Sequence, residues 1–227
     1  MNTEVEKLAG SPSKSPADEP VQLTLMSEEE PDLFAFDSGF RAECGVVCGI
    51  DEAGRGPLAG DVFAAAVIFD EGTVIEGIND SKKLTEKKRE ALFDEICAKA
   101  KAYCIASASV GEIEQLNILQ ADFLAMQRAY NGLGMQAGIV LVDGNQIPQL
   151  DAEMKYVIKG DAKSASIAAA SILAKVSRDR YMKQMAEEYP QYGFDKHKGY
   201  GTRAHYAAVD EFGLCAIHRK SFFKKYF

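Results

Sequence analysis

Three apolar segments of this chain each run into carboxylates, and this pattern constrains the fold more than any other feature of the sequence. The segments are VVCGIDEA (46–53), GIVLVDG (138–144) and KYVIKGD (155–161). Short apolar runs predict buried strands, and sites in open α/β sheets form just outside the carboxyl ends of strands. If these strands are neighbours, four acids meet at one sheet edge. They are Asp51, Glu52, Asp143 and Asp161.

A cluster of four carboxylates predicts a bound cation. Like charges that close cannot all stay ionised unless a positive charge joins them. Oxygen ligands without a partnering His or Cys suit Mg²⁺ or Mn²⁺. Taken one at a time, the acids have simpler interpretations: Asp143-Gly144 is typical of a turn, Asp161 suits a helix N-terminus, and an adjacent Asp-Glu pair is commonly solvated.

The turn after the first two acids, AGRGP (53–57), adds to the prediction of a site. Adjacent residues on a regular strand point to opposite faces, so Asp51 and Glu52 can serve one site only if the backbone leaves the strand there. Gly54 and Gly56 permit unusual φ values, and the following proline blocks ladder pairing. The glycines would also let backbone N–H groups approach a phosphate or sugar, with Arg55 contacting phosphate.

The order of predicted elements indicates an α/β domain. Strands over 46–53 and 61–69 are followed by a helix over 84–101, a strand over 102–110 and a helix over 117–134. The two later acid-tipped segments and a long small-residue helix over 164–189 come next, and a helix over 203–212 follows. Such alternation predicts a mixed central sheet flanked by helices, with a helical C-terminal segment.

The charge of the chain is unevenly distributed. Residues 1–45 hold ten acids and three bases, whereas residues 196–227 hold seven bases and two acids, although the whole chain carries −8. We therefore predict an acidic, disordered extension over 1–44, in which DLFAF (32–36) is the apolar patch expected to dock on a catalytic domain over 45–227. The basic C-terminal surface permits phosphate contact despite the acidic total.

The sequence also predicts the compartment. The five cysteines form no CxxC pair and suit reduced thiols in a cytoplasmic protein. The polar, acidic N-terminus is unlike a signal peptide, and no stretch approaches the roughly 20 apolar residues of a membrane span.

Six sequence blocks occur in an order that closely resembles bacterial ribonuclease HII, a type 2 ribonuclease H. The blocks are GIDEAGRGPLAG (49–60), INDSKKLTEKKRE (78–90), VDG (142–144), KGDAKSASIAAASILAKVSRD (159–179), HKGYGT (197–202) and HRKSF (218–222). The resemblance runs from about residue 46 to residue 222, and the block containing DEAGRGP is the most specific.

This resemblance implies a fold, a chemistry and a set of site residues. The fold would be the three-layer ribonuclease H-like fold, and the four acids would be catalytic residues that bind two divalent cations, Mg²⁺ or Mn²⁺. Gly54, Arg55, Gly56 and Tyr200 would together recognise a ribose 2′-hydroxyl at an RNA–DNA junction. The phosphate-contacting residues implied by the family are Lys82, Lys83, Lys163 and Ser164.

The resemblance further implies an endoribonuclease that acts in DNA replication and repair. It would cleave the RNA strand of RNA–DNA hybrids and nick 5′ to single ribonucleotides in duplex DNA, leaving 3′-hydroxyl and 5′-phosphate ends. The expected state is a monomer, with a sliding clamp as a candidate partner. Asp61 departs from the family, which usually has proline there. Ribonuclease HIII, a non-catalytic nucleic-acid-binding protein on the same fold and a metal-dependent phosphatase are the alternatives.

Overall fold

The computed structural model describes residues 32–79, 81–82 and 84–223 of the 227. Within that part of the chain, five strands form one sheet in the order β3-β2-β1-β4-β5. The strands are β1 (Val47–Ala53), β2 (Val62–Ile68), β3 (Ala102–Ala108), β4 (Ile139–Asp143) and β5 (Met154–Val157). Strands β1, β2 and β3 pair antiparallel, whereas β4 and β5 run parallel to β1. The predicted mixed α/β sheet is therefore confirmed.

Helices cover both faces of this sheet. They are α1 (Leu33–Cys44), α2 (Glu86–Lys99), α3 (Val110–Leu116), α4 (Ile118–Asn131), α5 (Ala165–Glu188), α6 (Phe194–His197) and α7 (Arg203–Phe212). Residues of α2 and α5 share one buried apolar cluster with β2, and residues of α4 share another with β1, β2 and β4. The sheet thus forms the middle of three layers. No helix in the described ranges is long and apolar enough to cross a membrane.

The central helix α5 lies directly on the backbone of β1. A Cβ atom placed on Gly49 would lie 2.2 Å from the main-chain carbon of Ser166, a separation that real Cβ atoms do not show. Only glycine at this position allows so close an approach. Residues 165–174, the alanine-rich start of α5, are also all buried, so the small-residue face that the sequence shows is packed in the core.

Residues 33–44 form helix α1, although the sequence analysis assigned them to a disordered extension. The Asp32 side chain caps the helix by accepting from the N–H groups of Phe34 and Ala35. Leu33 joins the core, and buried Asp37 accepts from both the backbone N–H and the hydroxyl of Ser166. The acidic composition of the N-terminal residues gives no sign of these local and long-range contacts. Residues 1–31 lie outside the described part of the chain, so their predicted disorder stays a prediction.

Helix α3 replaces the end of the third predicted strand. Ser109 and Glu112 form a reciprocal capping box, in which each side chain accepts from the other's backbone N–H. Such a pair fixes a helix start. Asp61 adds to this cap because its Oδ1 accepts from the N–H of Val110 at 3.0 Å. The acid that departs from the family pattern therefore stabilises a helix N-terminus.

The C-terminal segment packs around three histidines, two of which are buried. The N–H of Cys215 donates to Nδ1 of His218, so Nε2 of His218 carries the proton and donates to Nε2 of His205 at 3.0 Å. His205 Nδ1 then donates to the Tyr200 carbonyl oxygen at 3.0 Å. This chain of hydrogen bonds requires both rings to be neutral.

We expect the histidine pair to make stability depend on pH. Burial lowers the pKa of His205, and burial together with His205 lowers the pKa of His218 from 6.5 to about 4. The unfolded chain thus binds more protons in this range, so the free energy of unfolding should fall, by up to roughly 3 kcal/mol, as pH drops from 6.5 towards 4. Urea unfolding at about pH 7 and about pH 5 measures the change. An equal loss in a His218→Gln variant would assign it to other groups.

Candidate active site

Three of the four predicted acids come together at the carboxyl end of the parallel strands. One oxygen from each of Asp51, Asp143 and Asp161 lies within 4.8 Å of the others. Asp51 lies within β1, and Asp143 is the last residue of β4. These two strands are paired only up to Ile50 and Val142, so the acids project just past the last rung of the ladder.

Asp161 reaches the cluster from a turn and not from a strand end. Strand β5 stops at Val157, and Asp161 lies in the 3₁₀ turn Gly160–Ala162 that leads into α5. Lys159 has φ +55° at the start of this turn. The Gly160 N–H donates to Oδ1 of Asp143 at 2.7 Å, which ties the turn to the end of β4.

Glu52 is not one of the three acids whose oxygens lie within 4.8 Å of one another. The strand stays regular through Ala53 and pairs with β2 from Cys48 onwards, so Asp51 and Glu52 start from opposite faces of the strand. The Glu52 carboxylate lies 3.7 Å from Nη1 of Arg55. The strand ends at Ala53, and the backbone departs in the predicted Gly-Arg-Gly-Pro turn, beginning at Gly54, where φ is +108°. Glu52 still lines the same pocket as Asp51 and Asp143.

The environment of these acids disfavours the ionised form of their carboxyl groups. Burial, followed by the charges of Glu52 and Asp143, raises the pKa of Asp51 well above its usual value. Burial also raises the pKa of Glu52, against the opposing effect of Arg55. A divalent cation would reverse these effects because it favours the ionised carboxylates. The oxygen-only donors and their mutual approach therefore fit a hard divalent cation, with Asp51, Asp143 and Asp161 as its ligands.

Two residues that sequence reasoning did not single out complete the floor of the site. Ser171 of α5 hydrogen-bonds to Asp51, and its hydroxyl lies 2.8 Å from that of Ser81. Lys175, one turn further along α5, lines the same pocket and contacts Asp179 at 2.6 Å. Ser171 and Lys175 are four residues apart, so they lie on one face of helix α5. The sequence does not show that this face lies beside the acids, because that depends on the packing of α5 on β1.

The Gly-Arg-Gly turn and Tyr200 lie together at the wall of this pocket. A Cβ placed on Gly56 would lie 3.8 Å from Cε1 of Tyr200. The tyrosine is 45% exposed, and Arg55 also leaves half of its side chain exposed. The exposed tyrosine ring and the half-exposed guanidinium thus line the same pocket as the acids.

Two buried arginines hold this turn in place. Arg219 donates to the carbonyl oxygens of Gly54, Arg55, Pro57 and Gly60. Arg178 donates to those of Ala59, Asp61 and Lys198. Burial and the neighbouring arginine lower the pKa of Arg219 to about 9. Arg219 belongs to the basic C-terminal segment that the sequence suggested for phosphate contact, but the structure buries it beneath the turn.

The predicted phosphate-contacting residues occupy different positions. Lys82 is exposed, and its Nζ lies 3.6 Å from Oδ2 of Asp161. Lys163 is exposed at the end of the 3₁₀ turn. Ser164 is buried, and its hydroxyl oxygen accepts from the N–H of Ile167 at the start of α5. The geometry therefore favours a capping role for Ser164 over phosphate contact. Lys83 lies outside the described residues.

Comparisons with known proteins agree with this geometry. The sequence profile of the family Ribonuclease HII matches residues 48–225. Ribonuclease HII of Delftia acidovorans is 60% identical over 178 residues, 78% of this chain and 76% of that protein. The crystal structure of ribonuclease H2 from Pyrococcus horikoshii superposes with a TM-score of 0.66 at 27% identity, covering 78% and 93% of the two chains. The ribonuclease HII of the PCNA complex from Archaeoglobus fulgidus gives 0.64 at 24% identity, over 77% and 93%.

An acid cluster at the edge of a mixed sheet, enclosed by helices on both faces, defines a metal-dependent nuclease with the ribonuclease H-like fold. The family match covers most of the chain, and the identity to a curated relative is high. The chain belongs to the ribonuclease HII family. It is an endoribonuclease of ribonuclease H type 2, and its family acts on RNA–DNA hybrids.

Proposed function

We propose that this enzyme nicks duplex DNA 5′ to a single embedded ribonucleotide, and also hydrolyses the RNA strand of hybrids. The observation that carries the proposal is the position of Tyr200 and the Gly-Arg-Gly turn beside the acid cluster in one pocket. Only the 2′-hydroxyl distinguishes RNA from DNA at a single nucleotide. A sensor for that hydroxyl must therefore lie next to the scissile phosphodiester, and these residues line the same pocket as the acids proposed to cleave it.

The chain's own groups suit hydrolysis of a phosphodiester. Asp51, Asp143 and Asp161 would hold divalent cations, Mg²⁺ or Mn²⁺, with Glu52 completing the set after its side chain turns from Arg55. Held there, two such cations would supply activation of the attacking water and stabilisation of the leaving oxygen, so that hydrolysis would leave 3′-hydroxyl and 5′-phosphate ends. Half-buried Lys175 would add positive charge beside the phosphate.

Substrate binding would combine backbone and side-chain contacts. Gly54 and Gly56 leave the turn without side chains, so its backbone can approach the sugar and phosphate closely. The Tyr200 ring would pack on the ribose while its hydroxyl remains free to hydrogen-bond. Exposed Lys82 and Lys163 would neutralise phosphates next to the cleaved bond, and we retain Lys83 as a third candidate.

The decisive experiment uses an end-labelled DNA duplex with one ribonucleotide, incubated with Mg²⁺ or with Mn²⁺. An all-DNA duplex and a chelator are the controls. A single nick 5′ to the ribonucleotide, absent from both controls, is the expected result. Cleavage of long hybrids alone would support a ribonuclease HIII-like preference and contradict the proposal. No cleavage of either substrate would favour a binding protein or a phosphatase.

We expect Tyr200→Ala to lower cleavage at a single ribonucleotide by roughly tenfold or more, since a contact worth about 1.4 kcal/mol in the transition state changes the rate tenfold. Tyr200→Phe keeps the ring and isolates the hydroxyl. The comparison of kcat/KM for the two variants on the one-ribonucleotide duplex measures each contribution. Wild-type rates for Tyr200→Ala would place the 2′-hydroxyl sensor elsewhere.

This activity would serve removal of ribonucleotides during DNA replication and repair. The Archaeoglobus fulgidus ribonuclease HII was solved in complex with PCNA, so a sliding clamp is the first protein partner to test, by co-elution in gel filtration. Light scattering in the same experiment would test the proposed monomer. We also propose a cytoplasmic location, since all five cysteines are free thiols.

A further inference from the structure

One buried carboxylate next to the active site has no role in the mechanism described above. Asp122 lies in the second turn of α4 and has no solvent exposure. Neither of its oxygens has a hydrogen-bond partner among the described residues. Burying an unbonded carboxylate is costly, and helix α4 is otherwise apolar on this face. Such a residue needs a partner that explains its position.

That partner is the arginine of the Gly-Arg-Gly turn. Nε of Arg55 lies 3.5 Å from Oδ2 of Asp122, and Nη1 lies 3.7 Å from Oε1 of Glu52. The guanidinium therefore bridges a buried acid on α4 and a pocket acid on β1. Because Glu52 and Cys48 share one face of β1 with Ile50, the strand directs Glu52 to the α4 side of the sheet.

The three charges depend on one another. Burial and the charge of Glu52 raise the pKa of Asp122 to about 8, while Arg55 opposes that rise. An arginine stays charged under all ordinary conditions. The guanidinium thus favours the ionised form of Asp122, and the buried carboxyl group restrains an arginine side chain that is otherwise half exposed.

We propose that Asp122 is a positioning residue for Arg55, holding its Nε edge against α4 so that the remaining N–H groups face the substrate. The inference rests on the proposed function because it assigns Arg55 its orientation towards the ribonucleotide and its phosphate. When a cation engages Glu52, Asp122 is the carboxylate that keeps Arg55 in place. The five donors of a guanidinium suffice for both a carboxylate and a substrate contact.

The test variant is Asp122→Asn, which keeps the shape of the side chain and removes its charge. We expect the Kd for a one-ribonucleotide duplex, measured by fluorescence anisotropy in chelator, to rise about tenfold. KM should rise by a similar factor while kcat stays within about threefold. Asp94→Asn, an exposed residue on α2 in the opposite layer, is the charge-matched control and should bind as wild type.

A double-mutant comparison separates positioning from a general structural effect. In an Arg55→Gln background, Asp122→Asn should change the Kd less than twofold, because the group it positions is gone. An equal tenfold loss in both backgrounds, or an unchanged Kd in the single variant, overturns the inference. Thermal unfolding checks that Asp122→Asn folds; if it does not, Asp122→Ser is measured in the same cycle. Failure of the wild-type enzyme to nick would instead overturn the proposed function.

Discussion

Replacement of Asp143 by asparagine should reduce cleavage by about a thousandfold or more while leaving duplex binding within about threefold. Oδ1 of Asp143 accepts from the Gly160 N–H at 2.7 Å, and an asparagine oxygen can accept the same bond. The turn that carries Asp161 should therefore keep its place. What the variant loses is one of the three carboxyl groups whose oxygens lie within 4.8 Å of one another.

Single-turnover cleavage of the one-ribonucleotide duplex measures the chemical step of this variant, and anisotropy in chelator measures its binding. Asp151→Asn removes the same charge from an exposed loop between β4 and β5 and should cleave as wild type. Near-normal cleavage by Asp143→Asn would remove this carboxylate from the site. Loss of binding together with cleavage would mean that the residue supports the fold of the site.

The largest effect on stability is expected for Arg219→Met. The guanidinium is fully buried and donates to four carbonyl oxygens of residues 54–60. Methionine fills much of the volume but donates no hydrogen bond, so these acceptors are left without their partner at about 1–3 kcal/mol each. We expect the free energy of unfolding to fall by about 4 kcal/mol or more, as measured by urea denaturation.

Lys220→Met provides the matched control, because Lys220 is the exposed neighbour of Arg219 on the same segment. It should unfold at the wild-type urea concentration. Cleavage by Arg219→Met should also fall at temperatures where the variant remains folded, since the turn carrying Gly54, Arg55 and Gly56 loses its anchor. If Arg219→Met were as stable as wild type, water or other donors would have to hydrogen-bond to the carbonyl oxygens of the turn.

The sequence predicted the parts of the molecule that local patterns determine. Apolar runs and helical periodicity located all five strands and the helices α2, α4, α5 and α7 to within a few residues. The acid-tipped strands predicted the edge at which the site forms, because parallel neighbours bring their carboxyl ends together. Asp51, Asp143 and Asp161 meet there. The fourth acid, Glu52, faces Arg55 because strand alternation holds through the acid pair.

The features that the sequence did not predict all depend on which side chains the fold buries. Arg178 and Arg219 look like surface bases in the sequence, and nothing local shows that they hydrogen-bond to a turn more than a hundred residues away. Asp122 sits within an apolar helix pattern and was not distinguished from a solvated residue. Helix α1 depends on contacts with α5 and the sheet, which composition does not report. These are tertiary effects that override local preference.

The missing side chain at Gly49 has a consequence for how the enzyme acquires its cofactor. Since α5 rests on the main chain of β1, the separation between the backbones that carry Asp51 and Ser171 is fixed by backbone contact. Bringing the carboxylates together on folding therefore costs electrostatic free energy, and cation binding offsets that cost. Folding and cation uptake are thermodynamically linked, and the binding geometry is prepared before any ion arrives.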